Sequence, residues 1–410
     1  MDKEAVKQKS SLFSIFFTFA VDNLGATIIF PIFAPLFLDP SKGLLGSDVS
    51  LTYKTAMLGI FLGIFPFMQF IFAPIMGEYA DHCGRKKALF LTTFLTFVGY
   101  GLSALGIHYH SMVGIFVGRM IMGVGAGNLS ICLSSLSDLS PSPKKKTRYY
   151  SYGSAVAGLT FILGPFVGGK LSDPTVSPVF DSAFPMIIGA ILGLVNVLFI
   201  LFAFVETLDN PSKKPFDFIK GIHNIQAALR TRAIRRLYFI YFFYLFSWNI
   251  VFLFVPAFVV ENFHLSNSQI GDVCALLGVC WIFGTGVLHR LFHKTMSAKW
   301  ILLTSFALFS LLVVFIPYPN YLRGFLFILG GCTIISGLIW PLCTSAISNA
   351  APKDIQGKVL GLSQSMLSIT MMLASIIGGL FLHAHSLIPF VFSSFSSLAA
   401  GAILLRAKVE

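Results

Sequence analysis

The sequence predicts an all-α polytopic membrane protein, and three observations lead to that fold class. Of its 410 residues, 56% are hydrophobic and 11% are charged, whereas a soluble domain carries about 25% charged residues. The mean hydropathy is +0.82. The apolar runs are continuous and about 20 residues long, which is the length that a helix needs to cross a bilayer. A transmembrane barrel would instead show short strands in which apolar and polar residues alternate.

Twelve apolar windows follow one another along the chain, and each is long enough to form one spanning helix. An even number of spans puts both ends of the chain on the same side of the membrane. The windows are residues 11–38, 55–76, 86–106, 112–137, 149–170, 184–205, 237–260, 268–289, 300–317, 323–348, 358–382 and 386–405.

The basic residues predict the orientation of the chain. The net charge of +12 lies in short loops, and there is no soluble basic domain that could present a nucleic-acid-binding face. Most of the 29 Lys and Arg residues lie in the loops on one side, beginning with the amino terminus. The loops on the other side contain Lys42, Lys54, Lys170 and Arg323, and Arg119 lies within a span. Because positive residues collect on the cytoplasmic side, we expect both termini in the cytoplasm.

The longest basic loop divides the chain into two halves. We predict an amino-terminal six-helix bundle at residues 1–206, a cytoplasmic linker at 207–236 and a carboxyl-terminal six-helix bundle at 237–410. The glycine pair that ends Gly164–Gly169 recurs at the end of Ala374–Gly379, as expected for two related repeats. The second part of the linker is either an amphipathic helix on the membrane surface or a solvated basic connector.

The loop after the second span contains Gly77, Asp81, Gly84 and Arg85. Glycines permit a tight turn, and Asp81 offers an anion to a neighbouring helix amino terminus. The spacing resembles the G-x-x-x-D-[RK]-x-G-[RK]-[RK] signature of the major facilitator superfamily, with His82 where a basic residue is usual. The resemblance implies a cytoplasmic latch that forms in the outward-facing state and breaks when the inner gate opens. The alternative is a basic turn that only sets the topology.

The fourth span contains Arg119, followed by Gly123, Gly125 and Gly127. A guanidinium at membrane depth persists only when it is paired or faces water. The pattern looks like the superfamily's R-x-x-x-G-x-G motif, and the resemblance implies that Arg119 takes part in proton coupling. The alternative is an arginine that extends to the outer membrane surface.

The fifth span contains Gly158, Gly164, Pro165, Gly168 and Gly169. Small residues let two helices approach closely, and a proline bends its helix. The set resembles the antiporter motif of drug:proton exchangers, G-x-x-x-G-P-x-x-G-G. The resemblance implies export coupled to proton entry, whereas the alternative is an ordinary close contact between helices.

The first span carries a carboxylate, Asp22, near its middle. A lone carboxylate at that depth must be protonated or paired. With Gly25, Pro31 and Pro35 it is similar to the first-helix pattern of tetracycline-type efflux proteins. We therefore predict that Asp22 binds the coupled proton, and that Arg119 favours the charged form when it is near. The alternative is a structural aspartate that is hydrogen-bonded to a neighbour.

Five further residues within spans are weaker candidates for a substrate cavity. Each has a side chain that can bind a ligand through a hydrogen bond, an aromatic ring or both. Tryptophans also anchor helices at interfaces, and amides also join helices. The five are Asn23, Trp248, Asn249, Trp340 and Gln364.

Three polar residues near or within the spans have other expected roles. Glu206 closes the sixth span in an E-T-L sequence and is expected to anchor at the interface. Asp138 either joins the latch or is solvated. Asn128 begins a glycosylation sequon, which we discount because it lies inside a span.

Together the motifs resemble a twelve-helix major facilitator, nearest to the drug:proton antiporters of the tetracycline-efflux type. The resemblance implies a secondary active transporter that exports a small amphipathic molecule by alternating access. The first alternative is a proton-coupled or facilitative importer of a nutrient or siderophore on the same fold. The second is a non-transporting receptor or scaffold.

The sequence also predicts what the protein binds and where it acts. We expect no enzyme, because no catalytic triad or phosphate-binding loop is evident. The six cysteines lie in or beside apolar runs, so we expect free thiols, no metal and no cofactor. The expected partners are a small-molecule substrate, protons and the lipid bilayer, without nucleic acid. We expect a monomer in a bacterial inner membrane.

Overall fold

The computed structural model describes residues 3–39, 44–140, 142–208, 211–212, 215–218, 232–292, 295–350, 356–382 and 387–406. Within these ranges the regular structure is helical, and twelve helical segments are long and apolar enough to cross a membrane. The all-α fold class and the number of spans are therefore confirmed. Much of the expected linker lies outside the described residues.

Six spanning segments precede the linker. The first is formed by α1 and α2 together, and the fourth is formed by α5 and α6. The helices are α1 (Lys3–Thr27), α2 (Phe30–Leu38), α3 (Leu51–Cys83), α4 (Arg85–His108), α5 (Met112–Gly125), α6 (Asn128–Asp138), α7 (Pro143–Leu171) and α8 (Phe184–Phe202).

Six more spanning segments follow the linker. The second of them ends in a single π-helical turn, Gly284–Leu288, that leads into a short helix. The helices are α9 (Arg232–Phe263), α10 (Asn267–Phe283), α11 (His289–Phe292), α12 (Ala298–Phe315), α13 (Leu322–Ala350), α14 (Gln356–Leu382) and α15 (Leu387–Leu405).

Two spans that look continuous in the sequence are broken. The first span stops at Thr27 and resumes at Phe30, because Pro31 has no N–H group and its ring clashes with the carbonyl four residues earlier. The fourth span stops at Gly125 and resumes at Asn128, within a run of glycines that weakens the helix. Each break leaves backbone groups that need partners inside the protein.

The chain divides into two compact units. Unit 1 contains Met1–Ile32 and Ile64–Gly221, and unit 2 contains Phe33–Gly63 and Ile222–Glu410. The first turns of α3 therefore pack in unit 2 and its later turns pack in unit 1. The division into two six-helix bundles at the linker stays a prediction.

The core of unit 1 forms between α1, α6 and α8. Ile15, Leu136 and Ile200 are fully buried in one apolar cluster. A polar contact crosses the same region, because the Thr18 hydroxyl donates to the Asn196 side-chain oxygen at 2.8 Å. Apolar packing and internally paired polar groups are both expected within a bilayer.

Reciprocal serine pairs join α15 to its neighbours in unit 2. The Ser247 hydroxyl on α9 donates to the Ser393 carbonyl at 2.7 Å, and the Ser393 hydroxyl donates to the Ser247 carbonyl at 2.8 Å. Ser310 on α12 and Ser394 make the same exchange at 3.2 and 3.1 Å. These bonds satisfy hydroxyl groups in apolar surroundings and hold three helices together.

A pair of glycines brings α3 and α14 into backbone contact within unit 2. A Cβ added to Gly59 would lie 2.5 Å from the Ser375 carbonyl oxygen and 2.9 Å from the Gly379 Cα. A Cβ added to Gly379 would lie 2.7 Å from the Gly59 Cα. The two helices therefore approach so closely that no side chain fits between them.

A larger residue at Gly59 should destabilise this contact. We expect Gly59→Leu to lower the apparent melting temperature of the purified protein, because overpacking costs about 1–3 kcal/mol. Gly101→Leu is the matched control, since a Cβ there would meet no described atom within 4 Å. Equal melting temperatures for the two variants would contradict the close contact.

Candidate functional site

Asp22 is held near the end of α1 by a hydrogen bond from α6. The side-chain Nδ2 of Asn128 donates to Asp22 Oδ1 at 2.9 Å. Asp22 is partly buried, and Asn128 is fully buried. The Asn128 side-chain oxygen accepts from the Thr92 hydroxyl on α4. The Asn128 side chain on α6 therefore joins two other helices. Its NH₂ group bonds to Asp22 on α1, and its oxygen bonds to Thr92 on α4.

The break in the fourth span places Asn128 at this position. Asn128 is the first residue of α6 and follows the turn at Ala126 and Gly127. The Ala126 N–H donates to the Gly123 carbonyl at 3.2 Å, and Gln69 Nε2 on α3 donates to the Ala126 carbonyl at 3.4 Å. The backbone groups of the break thus find partners within unit 1.

Glycines on both sides of this break lie against α3 and α4. A Cβ added to Gly123 would lie 2.6 Å from the Phe65 carbonyl oxygen. A Cβ added to Gly125 would lie 2.7 Å from the Thr92 carbonyl oxygen. Both distances are too short for a side chain, so α5 fits between its neighbours only with glycine at these positions.

Tyr100 on α4 lies close to both Asp22 and Arg119. Its side chain is fully buried, and it interacts electrostatically with both groups. A Cβ at Gly25 would overlap the Tyr100 hydroxyl, and a Cβ at Gly189 would overlap its ring. The tyrosine fits between α1 and α8 because both facing residues are glycine. Tyr100 has no signal in the sequence, since nothing distinguishes it from the other 11 tyrosines of the chain.

Arg119 is enclosed within unit 1. It is 0% exposed, and its guanidinium carbon lies 4.6 Å from the centroid of the Phe65 ring, a favourable cation–π arrangement. The alternative of an arginine that extends to the membrane surface is therefore wrong. Among the described residues no ion pair joins Asp22 to Arg119, and Tyr100 interacts electrostatically with each of them.

Two glycines of the antiporter motif lie against the break between α1 and α2. A Cβ at Gly164 would overlap the Thr27 hydroxyl, and a Cβ at Gly168 would overlap the Ile28 carbonyl oxygen. The Thr27 hydroxyl in turn donates to the Asn23 carbonyl at 3.0 Å. The backbone of α7 therefore packs directly on the broken part of the first span.

The other members of the motif differ in their surroundings. A Cβ at Gly158 would meet no described atom within 4 Å, so the expected close contact at this glycine is not present. Gly158 also lies six residues before Gly164 rather than four, which places it outside the motif spacing. Pro165 and Gly169 are buried within α7.

Charged residues gather around Arg85 at the turn between α3 and α4. Arg85 Nη1 donates to Asp81 Oδ1 at 2.7 Å, and Arg85 Nε donates to Asp138 Oδ2 at 3.2 Å. Asp138, whose role the sequence left open, therefore belongs to the same cluster. A Cβ at Gly77 would lie 3.5 Å from the Ser130 hydroxyl, which is an ordinary contact that does not require glycine.

Glu206 binds the amino terminus of α4. Its carboxylate accepts from the backbone N–H groups of Arg85 at 2.9 Å and Lys86 at 3.1 Å. Gly84 precedes them with a φ of 98°, a left-handed conformation that favours glycine. An anion is stabilised at a helix amino terminus. The expected position of Asp81 at a helix amino terminus and the expected interfacial role of Glu206 stay predictions.

Two of the five cavity candidates are enclosed in unit 2. Trp248 is 4% exposed, and its ring centroid lies 4.9 Å from that of Trp281. Asn249 is 5% exposed and donates to the Thr370 hydroxyl at 3.1 Å. Both side chains are buried within unit 2, and their part in a substrate cavity stays a prediction.

The other three candidates keep some exposed surface. Asn23 is partly buried, and its Nδ2 donates to the Phe19 carbonyl at 2.7 Å. Trp340 is 41% exposed, and Gln364 is exposed. Their part in substrate binding stays a prediction. Among the described residues no three His, Cys, Asp or Glu side chains come together as metal ligands.

The sequence matches one protein family over nearly its whole length. Residues 15–237 and 237–409 each match the family described as Major Facilitator Superfamily. The chain belongs to the Major Facilitator Superfamily. It is therefore an integral membrane protein of a transporter family, and the resemblance found in its motifs is confirmed.

The sequence is similar to proteins that are named for drug resistance. It is 26% identical over 370 residues to the tetracycline resistance protein, class H, of Pasteurella multocida, covering 88% of this chain and 86% of that protein. It is 25% identical over 420 residues to the quinolone resistance protein NorA of Staphylococcus aureus, covering 97% and 96%. A solved D-xylose-proton symporter shares the fold, with a TM-score of 0.74 at 13% identity over 96% of both chains.

The ion pairs around Arg85 predict how transport changes when Asp81 loses its charge. Asp81→Asn keeps the shape and removes the anion that pairs with Arg85. We expect transport by the reconstituted protein to fall about two- to fivefold, which corresponds to the loss of one partly exposed ion pair, without loss of expression. Asp48→Asn, in an exposed turn, is the control and should transport normally. Normal transport by Asp81→Asn would rule out an electrostatic latch.

The glycines of α7 predict a contrast between two matched variants. Gly164→Leu should push α7 away from the break in the first span, reduce transport and leave a proton leak, measured with a pH-sensitive dye inside proteoliposomes. Gly158→Leu adds the same side chain where there is open space and should behave as wild type. If Gly164→Leu transported without leak, the close-packing role would have to be abandoned.

Proposed function

We propose that this superfamily member is a proton-coupled antiporter that exports a small amphipathic molecule by alternating access. The observation that carries the proposal is the Asp22 carboxyl group inside unit 1, which is bound by Asn128 and interacts electrostatically with Tyr100, the residue that also interacts with Arg119. Ionisable residues within spans mark ion pathways and proton relays. The antiporter-motif glycines against the neighbouring helix break support the same assignment.

The proton cycle follows from the charge of Asp22. A neutral carboxyl crosses apolar surroundings at lower cost than a carboxylate, so the empty carrier returns with Asp22 protonated. The opposite charge of Arg119 favours release of the proton when the site opens to the cytoplasm. Substrate then binds to the deprotonated form and leaves on the other side.

The substrate class is proposed from the relatives. The proteins that the chain resembles over most of its length are named for resistance to tetracycline and to quinolones. Both are small molecules with aromatic and polar parts. We infer an amphipathic, drug-like substrate of the same kind.

The proposal also covers the orientation of the protein, the membrane in which it lies and the number of chains that transport. The concentration of Lys and Arg in alternate loops supports cytoplasmic termini, with the Arg85 cluster as a latch on the cytoplasmic side. The curated relatives named above are bacterial, which supports the cytoplasmic membrane of a bacterium. We propose that one chain, with two six-helix bundles, is the transporting unit.

The proposal predicts that Asp22→Asn abolishes uphill transport. Tetracycline and a fluoroquinolone serve as probes, and the one that raises the apparent melting temperature of the purified protein is used. Under an imposed pH gradient, wild-type proteoliposomes should move the probe against its gradient and opposite to the protons. Asp22→Asn should lose this accumulation and keep part of the passive counterflow.

Asp48→Asn is the control and should concentrate the probe as wild type does. If Asp22→Asn also does so, the proton is carried elsewhere and the assignment is wrong. Movement of probe and protons in the same direction would overturn antiport and point to an importer.

A further inference from the structure

We propose that Asn128 is a positioning residue whose amide orientation changes with the protonation state of Asp22. It presents its amide N–H to the carboxylate and its amide oxygen to the protonated carboxyl. This inference rests on the proposed function, in which Asp22 carries the proton. It assigns a role to a residue whose only sequence signal is a glycosylation sequon inside a span.

The position of Asn128 makes it the direct partner of Asp22. Among the described residues, the Asp22 side chain makes one hydrogen bond, which it accepts from Asn128 Nδ2 at 2.9 Å. Asn128 is 0% exposed, so water does not compete for its amide. Arg119 lies over the Phe65 ring, and in the part of the chain that the structure describes no ion pair joins its guanidinium to Asp22. The amide therefore responds first when the carboxyl gains or loses a proton.

A side-chain amide suits both states of a carboxyl group. An ionised carboxylate only accepts hydrogen bonds, whereas a protonated carboxyl also donates one. The observed orientation gives the carboxylate a donor. When Asp22 is protonated, a half-turn of the Asn128 amide places its oxygen opposite the new O–H group. This torsion is broad and roughly two-fold, so the half-turn keeps the side chain in an ordinary conformation.

Thr92 offers the Asn128 amide a hydrogen-bond partner in both orientations. In the observed state its hydroxyl donates to the Asn128 oxygen. After the half-turn, the Asn128 NH₂ group faces Thr92 and donates to the hydroxyl oxygen. The hydroxyl hydrogen then donates to the Ala88 carbonyl oxygen, which lies 2.8 Å from the Thr92 oxygen. The Asp22 carboxyl, the Asn128 amide oxygen and the Thr92 hydroxyl therefore each have a hydrogen-bond partner in both states, as a buried polar network requires.

Among the described residues, two other titratable groups are seen to interact with Asp22. Tyr100 on α4 and Cys132 on α6 interact electrostatically with it, and Tyr100 links it to Arg119 on α5. The helix α8, from Phe184 to Phe202, contains no acidic or basic residue. The helix α7 contains no titratable residue between Gly153 and Gly169.

The hydrogen bond also connects the proton site to the break in the fourth span. Asn128 is the first residue of α6, and its side chain spans from α1 to α4. A change in its orientation reverses the hydrogen bond through which Thr92 on α4 holds the start of α6. Protonation on the first span is thereby communicated to the fourth at a point where the helix is already interrupted.

Infrared spectroscopy of the purified full-length protein tests the inference without a substrate. The C=O band of a protonated carboxyl moves to lower frequency when its O–H group donates a hydrogen bond. A pH step should produce one such band that is absent in Asp22→Asn. In Asn128→Leu, which keeps the approximate side-chain size and removes both polar ends, this band should move to higher frequency because the acceptor is lost.

A second pair of variants keeps the test decisive if Asn128→Leu does not fold. Thr92→Val removes the hydroxyl that holds the amide and should shift or split the Asp22 band. Thr92→Ser keeps the hydroxyl and should give the wild-type band. We also expect Asn128→Leu to lower proton-driven accumulation of the probe at least about tenfold, which corresponds to loss of a buried hydrogen bond to a charged group.

The outcomes separate the inference from the proposed function. If no carboxyl band is lost in Asp22→Asn, the proposed proton site fails. If the Asp22 band is present and has the same frequency in wild type, Asn128→Leu and Thr92→Val, the role of Asn128 is overturned while the proton site stands.

Discussion

A polar group within the hydrocarbon has no water to bind, and each one must find its partner inside the protein. This constraint explains the arrangement around Asp22. The carboxyl accepts from Asn128, the amide accepts from Thr92, and the Thr92 oxygen lies within hydrogen-bonding distance of the Ala88 carbonyl. The same requirement is met at the break of the fourth span, where Gln69 donates to the Ala126 carbonyl. Interrupted helices are possible at this depth because neighbouring helices supply the missing bonds.

Close backbone approach is the second requirement, and the glycine motifs provide it. Gly164 and Gly168 bring α7 onto the broken part of the first span, and Gly123 and Gly125 seat the fourth span between α3 and α4. Gly25, together with Gly189, makes room for Tyr100 beside Asp22. Three motifs that are separate in the sequence therefore build one assembly in unit 1. Their small residues matter because polar atoms must come within bonding distance across helices that would otherwise be held apart by side chains.

Some residues that contact one another are grouped by a sequence motif, whereas others carry no sequence signal. Arg85 and Asp81 belong to one sequence motif, which predicts that they lie in the same latch loop, and the structure shows that they form an ion pair there. Glu206 binds the same turn from more than a hundred residues away, and no local pattern signals such a contact. Asn128 was considered only as a glycosylation sequon, because an asparagine near glycines in a span has no distinctive spacing. The motif resemblance included Gly158, whereas the structure shows open space at that glycine.

The sequence by itself determined the fold class, the twelve spans and the family, because these follow from the length and polarity of successive segments and from short motifs with fixed spacing. It also singled out Asp22, since a carboxylate in an apolar run stands out by composition alone. Only the tertiary structure decided that Asn128 is its hydrogen-bond partner, that Tyr100 lies close to both Asp22 and Arg119, and that two spans are broken beside the site. Those features depend on which helices are neighbours and on distances of a few ångströms between residues that are remote in the chain, and periodicity carries no information about either.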